Sequence, residues 1–322
     1  MSVTPRLIPM TGLAGCIALV AFGACPVRAA VPDDLRAAMA LQLALDRVGF
    51  SPGLIDGIIG PKTRTALEAF QRSRGLKPTG QLTAETRAAL KVDEPGATTT
   101  YTITKADARQ IGPAPRDWTA RSRLDRLAYP SLDELVAERF HCHRRLLGTL
   151  NPGVRLDRLA VGSRLIVPNV DRTRPPARAE RLVVDVARKI IEARTADGRV
   201  CGLFHCSVAA KEAKLPRGTA HVAVIAENPV YLFDPEKWPE VKGVDRKLTI
   251  PPGPRNPVGV RWIGLSLPGV GIHGTPSPEL IGKTGSHGCI RLTNWDAVRL
   301  ASMVRVGTPV TFVGADAVAR AR

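Results

Sequence analysis

The sequence predicts a multidomain, mainly β protein. Its C-terminal domain is β-sandwich-like with a packed helix, and a small three-helix domain and a small α+β module come before it. Three observations predict this. At 322 residues and 44% hydrophobic content, the chain can form two or three domains with real cores. Near residue 181 the texture changes from helical apolar spacing to short apolar runs separated by Gly and Pro. Polar, turn-rich stretches at 93–100 and 171–180 read as linkers, which leaves domains at 35–92, 101–169 and 181–314.

Residues 1–29 read as a secretory signal peptide. Arg6 supplies the positive start, residues 12–24 are apolar or small, and Val27-Arg28-Ala29 places small residues at the −3 and −1 positions of a cleavage site. The apolar run falls short of the ~20 residues that span a bilayer, which disfavours a retained anchor. Phe22-Gly-Ala-Cys25 also loosely resembles a lipoprotein cleavage box, and membrane contact is expected only if Cys25 is lipidated. Cys142, Cys201, Cys206 and Cys289 lie beyond this region. An oxidising compartment permits one disulfide among the first three, although Cys201 and Cys206 would point to opposite faces of one strand. His141-Cys142-His143 has no second spaced ligand pair, so no zinc site is expected. The net charge of +17 suits polyanionic surroundings. The basic residues are dispersed and show no aromatic-interleaved cluster, which argues against nucleic acid and leaves acidic wall polymer and the envelope surface.

In the first domain, Leu35, Met39, Leu43 and Val48 form an approximate helical apolar face. Pro61 suits the first position of a second helix, which carries Ala66, Leu67 and Phe70 on one side. Gly75 ends it, and Thr83 caps a third short helix with Glu85 in its first turn. Residues Asp56-Gly-Ile-Ile-Gly60-Pro-Lys-Thr63-Arg-Thr-Ala66-Leu-Glu-Ala-Phe70-Gln71, followed by Gly75-Leu and Thr79-Gly80, resemble the peptidoglycan-binding domain type 1. That resemblance implies a cell-wall binding module without identifying its ligand pocket.

In the second module, residues 101–104 read as a strand, and Ser131 with Glu134 as a capping box before Leu135, Val136 and Phe140. Asn151-Pro-Gly153 marks a turn, and residues 163–167 a closing strand. Strand–helix–helix–strand of this size, with Phe140-His and Leu150-Asn-Pro-Gly, resembles a LysM-like module. A packing subdomain without glycan affinity is the other reading.

From 181 onward, strands are expected at 182–187, extended by Lys189-Ile-Ile, then at 199–208 after the turn Ala196-Asp-Gly198, and at 220–226, 231–233, 258–263, 271–273 and 310–313. One strong helix follows Cys289. Thr293 can cap it, Asp296 sits in its first turn, and Val298, Ala301 and Val304 are available to the core.

Two segments of this domain carry chemistry: Gly-Ile-His273-Gly274-Thr275 and Gly-Ser286-His287-Gly288-Cys289-Ile-Arg291-Leu. A thiol of ordinary pKa near ~8.5 needs a base, and an imidazole near ~6.5 can supply one. The N–H groups of Gly288 and Cys289 could face a carbonyl oxygen as an oxyanion hole. His287 would share a strand face with Cys289, whereas His273 would approach from a separate strand, and spacing leaves both open as the base. A zinc site from His273, His287 and Cys289 lacks a fourth ligand.

Residues 181–314 resemble the L,D-transpeptidase, or YkuD-type, catalytic domain. The motifs are Ile272-His273-Gly274-Thr275, Ile281-Gly282-Lys283 and Ser286-His287-Gly288-Cys289-Ile290-Arg291-Leu292, with Pro257-Val-Gly, Trp262-Ile-Gly and Lys211-x-x-x-Leu-Pro216-x-Gly218 in support. The resemblance implies Cys289 as nucleophile, His273 as its base and the Gly274 carbonyl as the imidazole's orienter. It implies His287, Gly288 and Cys289 around an oxyanion hole, and Ser286, Thr275 and Arg291 near substrate. The implied reaction is attack on the third stem-peptide residue of peptidoglycan with loss of D-alanine, then transfer of the thioester to an amine of another stem or of an envelope protein. No metal or organic cofactor is implied, the compartment is the periplasm, and carbapenems would acylate Cys289. The rival expectations are an endopeptidase or carboxypeptidase of the same fold, and a non-catalytic wall-binding protein.

Overall fold

Helical spacing of apolar residues builds the first domain as α1 (Asp33–Arg47), α2 (Pro61–Ser73) and α3 (Ala84–Leu90). Asp33 and Asp34 in the first turn of α1, and Arg47 in its last, complement the helix dipole. Pro61 opens α2, and Thr83 caps α3 by accepting the Thr86 N–H at 3.2 Å. Leu41, Leu45, Leu67 and Phe70 close the core, with Phe50 edge-on to Phe70 at 5.5 Å. The computed structural model describes residues 31–170, 177–238 and 241–320. The expected leader at 1–29, with Cys25, and residues 171–176 of the expected second linker lie outside the described residues.

The middle module runs β1 (Thr98–Thr102), α4 (Lys105–Ala108), α5 (Trp118–Ser122), α6 (Leu132–Arg139), α7 (Arg144–Leu150) and β2 (Arg164–Pro168), with β1 and β2 antiparallel. Two expectations are corrected here. Thr98–Thr100, expected as linker, form the start of β1, because β-branched threonines suit a pleated strand once Ile166–Pro168 pair with them. The capping box expected at Ser131 is absent: Ser131 makes no side-chain cap bond, and Glu134 instead meets Arg255 at 3.1 Å. A capping box forms at Thr104 and Asp107.

The C-terminal domain contains β3 (Arg181–Asp185), β4 (Ile190–Arg194), β5 (Val200–His205), β6 (Gly218–Glu227), β7 (Tyr231–Phe233), β8 (Leu248–Ile250), β9 (Arg261–Leu265), β10 (Gly271–His273), β11 (Ile290–Arg291), α8 (Asn294–Met303), β12 (Pro309–Val313) and α9 (Ala315–Arg320). Eight strands form one sheet in the order β11-β10-β9-β6-β12-β3-β4-β5. The long β6 serves both halves: Gly218–His221 pair with β12 and Val222–Glu227 with β9, with a register break between Val222 and Val224. Leu182, Val184 and Phe204 from one half share a core with Ile263, Ile272 and Ile290 from the other. The sandwich-like layering therefore comes from a single sheet that folds over its own core. Lys189-Ile-Ile does not extend the first strand. Lys189, at φ +56°, turns the chain so that Ile190 and Ile191 pair back on β3. On α8, Thr293 caps the Asp296 N–H at 3.2 Å and Ala301 and Val304 are buried, but Val298 faces out.

Both leading modules dock on this domain. Residues 49–51 add to the β5 edge: Leu203 N–H donates to Gly49 O and Ser51 N–H to Leu203 O. Lys62 Nζ donates to Ile281 O at 2.7 Å. From the middle module, Leu127 N–H donates to Pro252 O at 2.8 Å, and Trp118 stacks on Phe233 at 4.3 Å. The four cysteines among the described residues are free thiols.

Candidate active site

Strand pairing brings the two chemistry-bearing segments together. β10 and β11 run parallel, with Ile272 opposite Ile290 and His273 opposite Arg291. Ile272 and Ile290 both point into the core. Alternation therefore sends His273, Arg291 and Cys289 to the other face of the sheet. The Cys289 thiol lies against the start of β10: it donates to Gly269 O at 3.5 Å, and the Gly271 N–H is close enough to oppose the rise of its pKa.

The His273 ring is buried, and its Nδ1 lies 2.7 Å from Gly274 O. A carbonyl oxygen can only accept, so Nδ1 carries the proton and the neutral ring keeps its lone pair on Nε2. Burial lowers the His273 pKa to about 4, against the pull of the Gly274 carbonyl, and the Arg291 guanidinium adds to the fall. Burial also raises the Cys289 thiol, with the Gly271 N–H and Arg291 opposing. These shifts leave a neutral imidazole and a neutral thiol on the same sheet face near neutral pH.

The turn before Cys289 is held from within. Ser286 Oγ donates to Cys289 O and accepts the Gly288 N–H at 3.2 Å. Gly288 has φ +153°, a region that L side chains rarely adopt. Of the two N–H groups expected to face a carbonyl oxygen, Gly288's is engaged, whereas Cys289's makes no hydrogen bond to another described residue. The residues expected near substrate are also engaged in structure. Thr275 is buried and its Oγ1 accepts the Ser277 N–H at 3.3 Å. The Arg291 Nη2 ties down the adjoining loop, donating to Thr284 O at 3.0 Å and to Gly285 O.

Several aromatic groups lie at the site, of which the sequence reading marked only Trp262, as part of a motif. Trp262, opposite His273 in the β9–β10 register, stacks on the imidazole at 5.6 Å. Trp238, between β7 and β8, lies 4.0 Å from the His287 ring. Burial pushes Tyr231 on β7 up to about 12, and Cys289 is close enough to add to the rise. The contacts of Trp238 and Tyr231 depend on where the β7–β8 hairpin folds back, which local pattern does not encode.

Elsewhere, His141 stacks on Trp295 at 5.1 Å and its Nδ1 lies 3.1 Å from Asp46 Oδ2. Among the described residues no cluster of three or more His, Cys, Asp or Glu has the arrangement of a metal site.

The family model of the L,D-transpeptidase catalytic domain (YkuD) matches residues 179–312, and that of a peptidoglycan binding domain (PG_binding_1) matches residues 37–90. A Bacillus licheniformis protein that carries the name L,D-transpeptidase YkuD is 30% identical over 178 residues, which cover 55% of this chain and 91% of that protein. The chain belongs to the L,D-transpeptidase family. Bacillus subtilis YqjB, named for the same activity, is 38% identical over 120 residues, covering 35% of this chain and 60% of its own length. Among solved structures, the Xylanimonas cellulosilytica L,D-transpeptidase (residues 123–326) is 18% identical, with 86% of this chain and 92% of that one covered at a TM-score of 0.35. The L,D-transpeptidase from Mycobacterium smegmatis is 22% identical, with 48% and 76% covered at 0.32.

Proposed function

We propose that this L,D-transpeptidase uses Cys289 as nucleophile and His273 as base to move a peptidoglycan stem-peptide acyl group onto an amine. The observation that carries this reading is the parallel β10–β11 register, which puts the two side chains on one sheet face while Gly274 O fixes the imidazole tautomer. His273 Nε2 takes the thiol proton as the sulfur attacks the carbonyl of the third stem residue. The Cys289 N–H, with the Gly288 N–H once it exchanges Ser286 for substrate, receives the developing oxyanion beside His287. Nε2 returns the proton to the departing nitrogen of D-alanine, and a thioester remains. An acceptor amine then attacks the thioester, its lost proton passes to the base, and the thiol is restored.

The acceptor is an amine of another stem or a lysine of an envelope protein, and water in its place would make the enzyme a carboxypeptidase. Arg291 keeps loop 284–285 in place and lends positive charge to the sulfur, with Ser286 and Thr275 shaping the walls. The helical domain supplies wall attachment in the periplasm, and the charge of +17 aids retention on acidic polymer in a way that fades with salt. The middle module adds a LysM-like packing unit.

The test is incubation of the purified mature protein with disaccharide-tetrapeptide and product analysis by mass spectrometry. Crosslinked dimers with loss of alanine are expected. Cleavage of preformed links without dimer formation would favour the endopeptidase reading. No turnover, identical for Cys289→Ser, would leave a wall-binding protein.

A further inference from the structure

Behind the strand that carries His273, a carboxylate from the middle module enters the C-terminal domain. Glu138 lies in the last turn of α6, outside the residues that match the catalytic family. Asn294 Nδ2 donates to both of its oxygens, at 3.1 and 3.2 Å, and Tyr129 Oη donates to Oε1 at 2.8 Å. Asn294 is the first residue of α8, directly after the capping Thr293. Its Nδ2 also donates to Pro254 O at 3.3 Å, and its Oδ1 accepts the Val260 N–H at 3.3 Å. These bonds employ its donors and its acceptor, so the side chain has one orientation.

That orientation places Oδ1 in a slot between two backbones. A Cβ on Gly259 or on Gly274 would run into the Asn294 oxygen. Gly274 is the residue whose carbonyl holds His273 Nδ1 at 2.7 Å. The peptide before Gly274 is held by its N–H to Arg261 O at 3.2 Å, whereas the plane that carries the Gly274 carbonyl follows a residue with no side chain, against which Asn294 Oδ1 packs. The chain of contacts runs from Glu138 to Asn294, from Asn294 to Gly274, and from Gly274 to His273.

We propose that Glu138 and Asn294 are positioning residues for the His273 imidazole. They clamp the Gly274 peptide so that its carbonyl keeps the proton on Nδ1 and leaves Nε2 to face the thiol. The catalytic site is then completed by a module outside the catalytic domain, whose loss would loosen the base without removing any group that touches substrate. This rests on the transpeptidase reading for its kinetic consequence, but the tautomer can be read without turnover.

The experiment compares the full chain with Glu138→Ala and Glu138→Gln. Nitrogen-15 NMR of the His273 ring, assigned by its loss in His273→Ala, reports the tautomer, and steady-state assays report kcat and KM. Glu138→Ala should turn a pure Nδ1–H pattern into a mixture and lower kcat by about one to two orders of magnitude, with KM changed less. Glu138→Gln should restore most of both, because Oε1 alone can accept from Asn294 and Tyr129. A Glu138→Ala protein with the parental tautomer would overturn the proposal. So would equal kcat losses in both variants accompanied by equal falls in melting temperature, since a purely structural role has that signature. If the parent itself shows no transpeptidation, the NMR comparison still decides the positioning, and only the functional reading fails.

Discussion

His273 stands opposite Arg291 in the parallel register of β10 and β11. The relationship sets the geometry of the site. It places Cys289 on the same sheet face, two residues before Arg291, and it brings a guanidinium near both the imidazole and the thiol. Arg291 lowers the pKa of the imidazole and opposes the burial that raises the thiol. The site therefore rests as a neutral pair.

The pH profile should show this. With His273 lowered to about 4, its imidazole, the proposed base, stays unprotonated well below the ordinary histidine range. The kcat/KM of donor hydrolysis or transfer should hold level from about pH 7 down to about pH 5 and fall only below that. Iodoacetamide labelling of Cys289 should be slow at neutral pH and rise above the usual cysteine range, since burial raises that thiol. An acid limb near the free-histidine value would contradict the neutral pair.

The hairpin β7–β8, which carries Tyr231 and leads to Trp238, is buttressed by Trp118 of the middle module at 4.3 Å from Phe233. Aromatic stacks of this kind are worth roughly 0.5–1.5 kcal/mol beyond buried area. Trp118→Ala should loosen the hairpin and raise KM for the donor by about three- to tenfold, given that energy. Trp118→Phe should retain most of the affinity. Steady-state kinetics on the two variants checks this.

Buried Asp296 accepts from Ser51 Oγ at 2.8 Å, and burial, with Asp46 adding, pushes it up to about 7. The folded state then binds more protons than the unfolded chain between the ordinary value of 3.8 and about 7, so this group costs stability as pH rises through that window. Asp296→Asn should melt higher than the parent above about pH 7 and lose that advantage near about pH 4. Calorimetry at both values measures the crossover.

Lys62 couples the helical domain to the loop ahead of Ser286 by its bond to Ile281 O at 2.7 Å. Burial lowers its pKa, yet the bond persists for either protonation state, since an amine also donates. Lys62→Met keeps the packing stem and removes the donor. Hydrogen exchange across 280–286 should then quicken while the helical domain's own amides stay protected.

Much of this was legible in the sequence because local signals carried it. Pro61, Thr83 and Thr293 mark helix starts by rules that need no tertiary context. The His-Gly-Thr and Ser-His-Gly-Cys segments stood out as carriers of an imidazole and a thiol, and the structure brings them together at adjacent strands. What escaped was non-local. Thr98–Thr100 read as linker until β2, far along the chain, pairs with them. The bonds that Ser286, Thr275 and Arg291 make to neighbouring residues are local, but which rotamer makes them is not written in the sequence pattern. Trp238 and Tyr231 come near His287 and Cys289 through the folding of a hairpin, and Glu138 meets Asn294 through the docking of a module.

The central claim is tested most directly by trapping the acyl-enzyme. The full chain is mixed with a tetrapeptide donor in the absence of acceptor amine, quenched in acid and read by intact-mass spectrometry with peptide mapping. A covalent adduct equal to the donor minus D-alanine is predicted on Cys289. Its formation should be slowed by about 10²–10⁴-fold in His273→Ala and far less in His287→Ala. An adduct mapping to another residue, or one that forms in His273→Ala at the parental rate, would contradict the account.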